Sequence, residues 1–449
     1  MPKIVVEPPG PKARELLEKD SRLLMQSFVR WYPLVAKRAY GVVIEDVDGN
    51  LFLDMNAGLA VMSVGHGHPR VVNAIKRQAE KLLHYSLTDF YYEEAVTYAE
   101  KLSKVVPIEG GKKFFFANSG AETIEASIKI SRGRAEGKRP YVIAFIGAFH
   151  GRTTGAMALT ASKPVQRKGF QPLISGVIHV PYPYPYRCPF NVDPDKCGDA
   201  VIGFLEEWVF RRMVDPNEVA AVFVEPIQGE GGYVVPPDDF FPKLRKLTSQ
   251  YDILLVDDEV QAGMGRTGKW FAIEHWGVKP DIITMAKAVA SGIPLGVVAG
   301  REDVMNLPAG SHASTFGGNP VALAAASEVI DIIREEKLLE NAAKVGESLL
   351  KRAMEWKEQY EIVGDVRGKG LMIGIELVRD RKTKEYASKE LAKVINTCFK
   401  RGVAVIGAGF STIRLSPPLV ISEELAQKGM DVIESVLKEV NKEISGIKP

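Results

Sequence analysis

Five short apolar runs, separated by helix-like stretches, set the tightest limit on how this chain can fold. They are Lys113–Ala117, Tyr141–Phe145, Val219–Val224, Ile253–Val256 and Ile282–Met285. Strands that are apolar on both faces belong in a sheet covered on both sides, and strands alternating with helices make that sheet mainly parallel. The class is therefore α/β. A Val42–Asp54 segment with an Asp48-Gly49-Asn50 turn reads as a hairpin, and residues 12–30 read as a polar-faced helix. Beyond residue 320 the pattern changes to helices over Val321–Glu335, Leu338–Tyr360 and Glu423–Glu443, with strands at Leu371–Val378 and Ile413–Leu415. We expect an N-terminal segment 1–60, a large domain 61–319 and a smaller α+β domain that takes in residues 320–449 and the N-terminal segment. Residues 181–198 are too rich in proline for helix or ladder and read as a surface loop.

Composition removes several classes of function. Lys plus Arg number 58 against 56 acids, a net charge of +2, so no basic field marks a nucleic-acid or membrane partner. The longest uncharged apolar stretch, Ala288–Gly300, contains Pro294 and is shorter than the roughly 20 residues of a membrane helix. Cys188, Cys197 and Cys398 are too few for a disulfide framework, and the N-terminal stretch shows no signal-peptide core, so a reducing cytoplasm is the expected location. His66 and His68 have no second ligand cluster and read as a turn motif, with no metal expected.

Three runs end in an ionisable residue: Val224 leads to Glu225, Val256 to Asp257-Asp258, and Met285-Ala286 to Lys287. Taken alone, each is most simply a charge leaving a buried strand. Ligands, however, bind at the carboxyl ends of strands in an open α/β sheet, so the three can converge on one crevice. Lys287 lies among apolar residues, and burial disfavours an ammonium, which suits a lysine that forms a Schiff base. Asp258 is the residue we place against a pyridinium nitrogen. Asn118-Ser119-Gly120-Ala121-Glu122 reads as a capping box whose Gly120 and Ala121 N–H groups would cradle a phosphate, or as an ordinary capped helix. Gly263-Met264-Gly265-Arg266-Thr267-Gly268 matches a dinucleotide fingerprint in spacing alone, which leaves a nucleotide-binding oxidoreductase as a remote alternative.

Together these segments resemble the class III (omega) aminotransferases, with the clearest block running from Asp258 to Gly268 and on through Pro280-Asp281-Ile282-Ile283 to Lys287. The resemblance implies fold type I and the cofactor pyridoxal 5′-phosphate. It makes Lys287 the Schiff-base lysine and proton shuttle, with Asp258 on the pyridine nitrogen and Gln261 on the phenolic oxygen. Phe149, beside His150, would stack on the ring, and Ser119, Gly120 and Ala121 would hold the phosphate. Glu225 belongs to the same cofactor site, and the glycine run becomes a loop beside the cofactor. Thr315 would come from a partner subunit, which implies a homodimer or a dimer of dimers. Arg152 resembles the arginine that binds a substrate carboxylate, and Glu230 resembles a glutamate that masks or frees Arg414 as substrates alternate. Leu59 stands where familiar ornithine enzymes have tyrosine, as in 4-aminobutyrate enzymes. Thr88-Asp89 lies in a segment that approaches the neighbouring active site, where the acid would receive a second ammonium or else merely cap the helix near Glu93. The implied reaction moves a terminal amino group from ornithine or 4-aminobutyrate to 2-oxoglutarate, giving glutamate and a semialdehyde. Amino-acid racemisation is the alternative outcome.

Overall fold

The computed structural model describes residues 2–444, so Met1 and residues 445–449 of the expected terminal segments lie outside the described residues. Its central sheet has seven strands in the order Lys112–Ala117, Gly296–Arg301, Ile282–Met285, Leu254–Asp258, Val219–Val224, Tyr141–Phe145 and Val177–Val180. Every neighbouring pair is parallel except those made by Gly296–Arg301, which runs against both its neighbours. The apolar runs became strands because they are buried throughout: all six residues of Val219–Val224 are covered. Burial of each such valine contributes roughly 1.5–3 kcal/mol. Asp281 fastens the middle of the sheet, accepting from Leu255 N, Arg245 Nη1 and Arg301 Nη1, each at 2.7 Å.

Two four-stranded sheets lie outside the central one. The first joins Ala36–Tyr40 and the hairpin Val43–Asp46/Leu51–Asp54 to Val403–Ala404, so both ends of the chain share it. The second consists of Val363–Lys369, Met372–Leu377, Thr412–Leu415 and Ile406–Ala408. This pairing supports a small domain built from residues 1–60 and 320–449 around a large domain 61–319, the division we propose.

The structure corrects three expectations. The first helix is Pro11–Leu23 and stops well short of residue 30. Leu24, Met25, Phe28 and Val29 beyond it are exposed, so no buried apolar face rewards further helix. The proline-rich segment is partly interior: Tyr182 is buried and its hydroxyl donates to Glu225 O and Pro226 O at 3.0 and 3.2 Å. Cys188 and Cys197 form a disulfide, their Cα atoms 5.8 Å apart, where no disulfide framework and a reducing surrounding were expected. The turns at Pro185–Arg187 and Pro194–Lys196 bring the two ends of that loop together. No helix among the described residues is long and apolar enough to cross a membrane.

Candidate active site

Carboxyl ends of five strands that run the same way border a cavity of ≈ 420 Å³. Ser119, Gly120, Ala121, Phe149, His150, Arg152, Glu225, Asp258, Gln261 and Lys287 line it, together with Val61, Asn118 and the loop Gly292–Leu295. Three adjacent parallel strands, Val219–Val224, Leu254–Asp258 and Ile282–Met285, therefore do deliver Glu225, Asp258 and Lys287 to one crevice.

Lys287 follows its strand with φ +43°, a left-handed conformation that a lysine adopts only under constraint from its surroundings. Burial pushes its ammonium below the ordinary lysine range, Arg414 adds to the shift, and Glu230, Asp258 and Glu225 oppose it. Asp258 is buried, with Oδ2 2.7 Å from His150 Nδ1 and Oδ1 accepting from Thr284 Oγ1 and Val260 N, each at 3.1 Å. A carboxylate has about four lone-pair sites, so one remains for a further donor from the cavity. Burial opposes protonation of His150, yet the hydrogen bond and charge of Asp258, helped by Glu225, hold its pKa above the usual value. Glu225 is pushed up to about 7, first by burial and then by Asp258, against the effects of His150 and its two backbone donors. Those donors are Phe149 N and Gly229 N, each at 2.9 Å, so Glu225 ties together the loops that carry Phe149 and Glu230.

At the phosphate-type loop, Ser119 caps the helix Gly120–Arg134 by accepting from Glu122 N at 3.3 Å. The expected box does not close on Ser119. Glu122 reaches one residue further back and accepts from Asn118 N and, at 3.0 Å, from Asn118 Nδ2. Gly120 and Ala121 remain at the open start of a helix, where N–H groups lack intrahelical acceptors and an anion is favoured. A Cβ on Gly120 would stand 2.9 Å from Val260 Cγ1, so glycine lets this loop close on the segment that follows Leu254–Asp258. The Arg152 guanidinium lies 5.0 Å from the centroid of the Phe149 ring, at the cavity mouth.

Glu230 and Arg414 are paired at 2.7 Å, and Arg414 Nη1 also donates to Gln261 Oε1 at 3.3 Å. Burial opposes the charge on Glu230, but Arg414, Lys287 and Lys163 together hold it below the usual carboxylate range. Arg414 is buried in the strand Thr412–Leu415, and its Nε has no acceptor among the described residues.

Leu59, Thr88, Asp89 and Thr315 do not line the cavity of the single chain and are exposed. Leu59 sits in a run of four left-handed residues, Ala57 to Ala60. Thr88 Oγ1 donates to Ser314 O and Asn118 Nδ2 to Ser314 Oγ, each at 3.0 Å, which joins the 88 segment, the Thr315 loop and the phosphate-type loop. Asp89 accepts from Ser86 Oγ at 2.8 Å, and the helix Glu93–Ser103 has no side-chain cap, so Asp89 does not cap it.

The glycine run lies away from the cavity, whose lining stops at Val260 and Gln261. A Cβ on Gly268 would meet Ala343 at 2.9 Å and one on Gly265 would meet Leu419 at 2.8 Å, so these glycines let the loop press against the C-terminal part of the chain. Buried Arg266 adds hydrogen bonds to Leu371 O and Pro417 O. The run is thus a packing joint, neither a dinucleotide turn nor a wall of the site. His66 pairs with Asp54 at 2.7 Å, and His68 caps the helix Pro69–Lys81. Sequence reasoning missed Thr284, although a hydroxyl inside Ile282–Met285 is the one polar break in that strand and was a usable signal.

The model of the family described as aminotransferase class III matches residues 26–437. The chain belongs to the class III aminotransferases. An alanine/serine racemase of Pyrococcus horikoshii is 45% identical over 98% of this chain and 93% of its own length. A 4-aminobutyrate aminotransferase of Mycobacterium leprae is 38% identical over 97% of both chains. The crystal structure of a transaminase from the marine bacterium Virgibacillus superposes with a TM-score of 0.89 at 30% identity, covering 96% of this chain and all of that one. The architecture is accordingly fold type I, and the family consists of pyridoxal-phosphate enzymes that act on small amino and oxo acids.

Proposed function

We propose that the chain is an aminotransferase that uses pyridoxal 5′-phosphate to pass the terminal amino group of ornithine or 4-aminobutyrate to 2-oxoglutarate. One observation carries this reading: a part-buried Glu230–Arg414 ion pair close enough to Lys287 that its two charges act on the lysine in opposite directions. A guanidinium that can be masked or freed suits a site whose substrates alternate between those with and without an α-carboxylate near the reacting carbon.

The residues fit the cofactor. The helix start at Gly120 and Ala121 suits its phosphate, the cavity face of Phe149 suits its ring, and the remaining acceptor site on Asp258 suits its ring nitrogen. Bound there, the cofactor supplies an exchangeable carbonyl and an electron sink for a carbanion. Lys287, whose ammonium is disfavoured by burial, would take and return the substrate proton at Nζ. Asp258 would hold a positive charge on the ring nitrogen, and His150 and Thr284 hold Asp258 in place. Gln261 would hold the phenolic oxygen, and Thr315 from a second copy would complete the phosphate cradle, which would make the working unit at least a homodimer. Arg152 takes the distal carboxylate and Arg414 the α-carboxylate.

Arg414→Ala is expected to slow the half-reaction with glutamate about tenfold to a hundredfold, the worth of one charge-assisted contact. The half-reaction with 4-aminobutyrate should hold within about twofold. Equal losses would remove the switch. If Asp89 from a second copy receives the distal ammonium, Asp89→Ala raises the Michaelis constant for ornithine about tenfold and leaves that for 4-aminobutyrate unchanged. A shared effect on both donors would end that assignment.

The similarity to the Pyrococcus racemase favours a second reading, in which the proton returns to the opposite face of the same carbon. Incubation of the enzyme with a panel of amino acids and 2-oxoglutarate separates the two. Glutamate formation supports transamination, whereas loss of α-deuterium with appearance of the D-enantiomer and no glutamate supports racemisation.

A further inference from the structure

Release of Arg414 for a substrate carboxylate poses a problem for Glu230. Arg414 is buried in a strand, and Glu230 O is fixed by Gly409 N at 2.9 Å, so only the Glu230 side chain is free to swing. Left beside an incoming carboxylate, it would stand as an unmatched, largely buried charge next to a like charge, which is strongly unfavourable. Opening therefore requires another cation within reach.

The cations that act on Glu230 are Arg414, Lys287 and Lys163. Arg414 is the group being vacated, and Lys287 is committed to chemistry. Lys163 is half-buried, and no carboxylate pairs with its ammonium among the described residues. Its backbone N–H donates to Gln166 Oε1 at 3.2 Å, which anchors the residue at the start of the turn Pro164–Gln166. Two residues earlier, Ala161 accepts through its carbonyl from Gly147 N at 3.0 Å. Gly231, the residue after Glu230, packs so closely on Gly147, which that bond ties to Ala161, that an added Cβ would lie 2.7 Å from Gly147 O. Ala161, Ser162, Pro164 and Gly231 border a second cavity of ≈ 380 Å³, so the two segments face one another.

We propose that Lys163 is a positioning residue that receives the Glu230 carboxylate whenever Arg414 binds a substrate α-carboxylate. In the closed state Lys163 is a spare cation, and in the open state it takes the ion pair that Arg414 gives up. Burial lowers its pKa, and Glu230 and Arg414 pull it in opposite directions, as befits a lysine that both partners of the switch can influence. The inference rests on the switch reading above.

The test uses holoenzyme carrying Lys163→Met, Lys163→Arg or Arg414→Ala, with glutarate as a non-reacting dicarboxylate. Calorimetry should show the glutarate dissociation constant rising about tenfold in the Met variant and recovering in the Arg variant. Rapid-mixing absorbance should show the same split, with a slower glutamate half-reaction and a 4-aminobutyrate half-reaction at wild-type rate. A crystal structure with glutarate should place Glu230 against Lys163. Unchanged glutarate affinity in the Met variant, or equal losses on both donors, overturns the role of Lys163. If Arg414→Ala weakens glutarate while Lys163→Met does not, the switch stands without Lys163. If neither variant weakens it, the switch reading falls as well.

Discussion

Lys287→Ala should abolish covalent attachment of the cofactor and lower turnover by roughly 10⁴-fold, the upper end of what a positioned acid–base group supplies. Wild-type protein treated with borohydride is expected to carry the cofactor's mass on the peptide that contains Lys287, and the variant none. The two functions are expected to fail together because the role we propose for Lys287 gives both the covalent link and the proton transfer to one Nζ. Cofactor affinity should fall much less, since the helix start at Gly120, the Phe149 face and Asp258 are untouched by the change. Borohydride labelling of another lysine, or of none in the wild type, would displace Lys287 from its role. The readout is a mass, so it stands apart from any choice of substrate.

Asp258→Asn should lower turnover on the order of a hundredfold or more while the protein stays folded and loaded. An amide occupies the same volume but carries no charge to hold a proton on the ring nitrogen, so the electron sink weakens. The change has a second consequence inside the protein. Burial works against the charged imidazole of His150, and the 2.7 Å hydrogen bond and charge of Asp258 hold its pKa above the usual value, so burial prevails once that charge is gone. The His150 pKa should therefore fall, which is measurable by nuclear magnetic resonance of the imidazole. His150→Asn would leave the Asp258 charge and remove only its anchor at Oδ2, so a smaller loss is expected there. Wild-type turnover in the Asn variant would show that another residue holds the ring nitrogen.

Strand identity and the residues at strand ends were legible in the sequence because both are local. A run such as Val219–Val224 advertises burial on both faces, and the ionisable residue that ends it marks the edge of the sheet. The convergence of Glu225, Asp258 and Lys287 followed from the rule that parallel strands share a carboxyl edge, and that edge is where the cavity lies. The capped helix at Ser119 was equally local, although its glutamate bonds Asn118 instead of closing the expected box.

What only the tertiary structure decided concerns partners far apart in the chain. The antiparallel strand Gly296–Arg301, inserted between Lys112–Ala117 and Ile282–Met285, has the same composition as a parallel one, so its direction was invisible. The glycine run met a dinucleotide pattern in spacing, yet its glycines serve contacts with Ala343 and Leu419, neither of which any local pattern connects to them. Burial of Tyr182 and the Cys188–Cys197 bond depended on how a proline-rich loop turns back on itself. Hydrophobic periodicity records how much of a residue leaves water. It carries no record of which distant group fills the space, and hydrogen bonds such as His150–Asp258 or Thr284–Asp258 arise only once the strands are laid side by side.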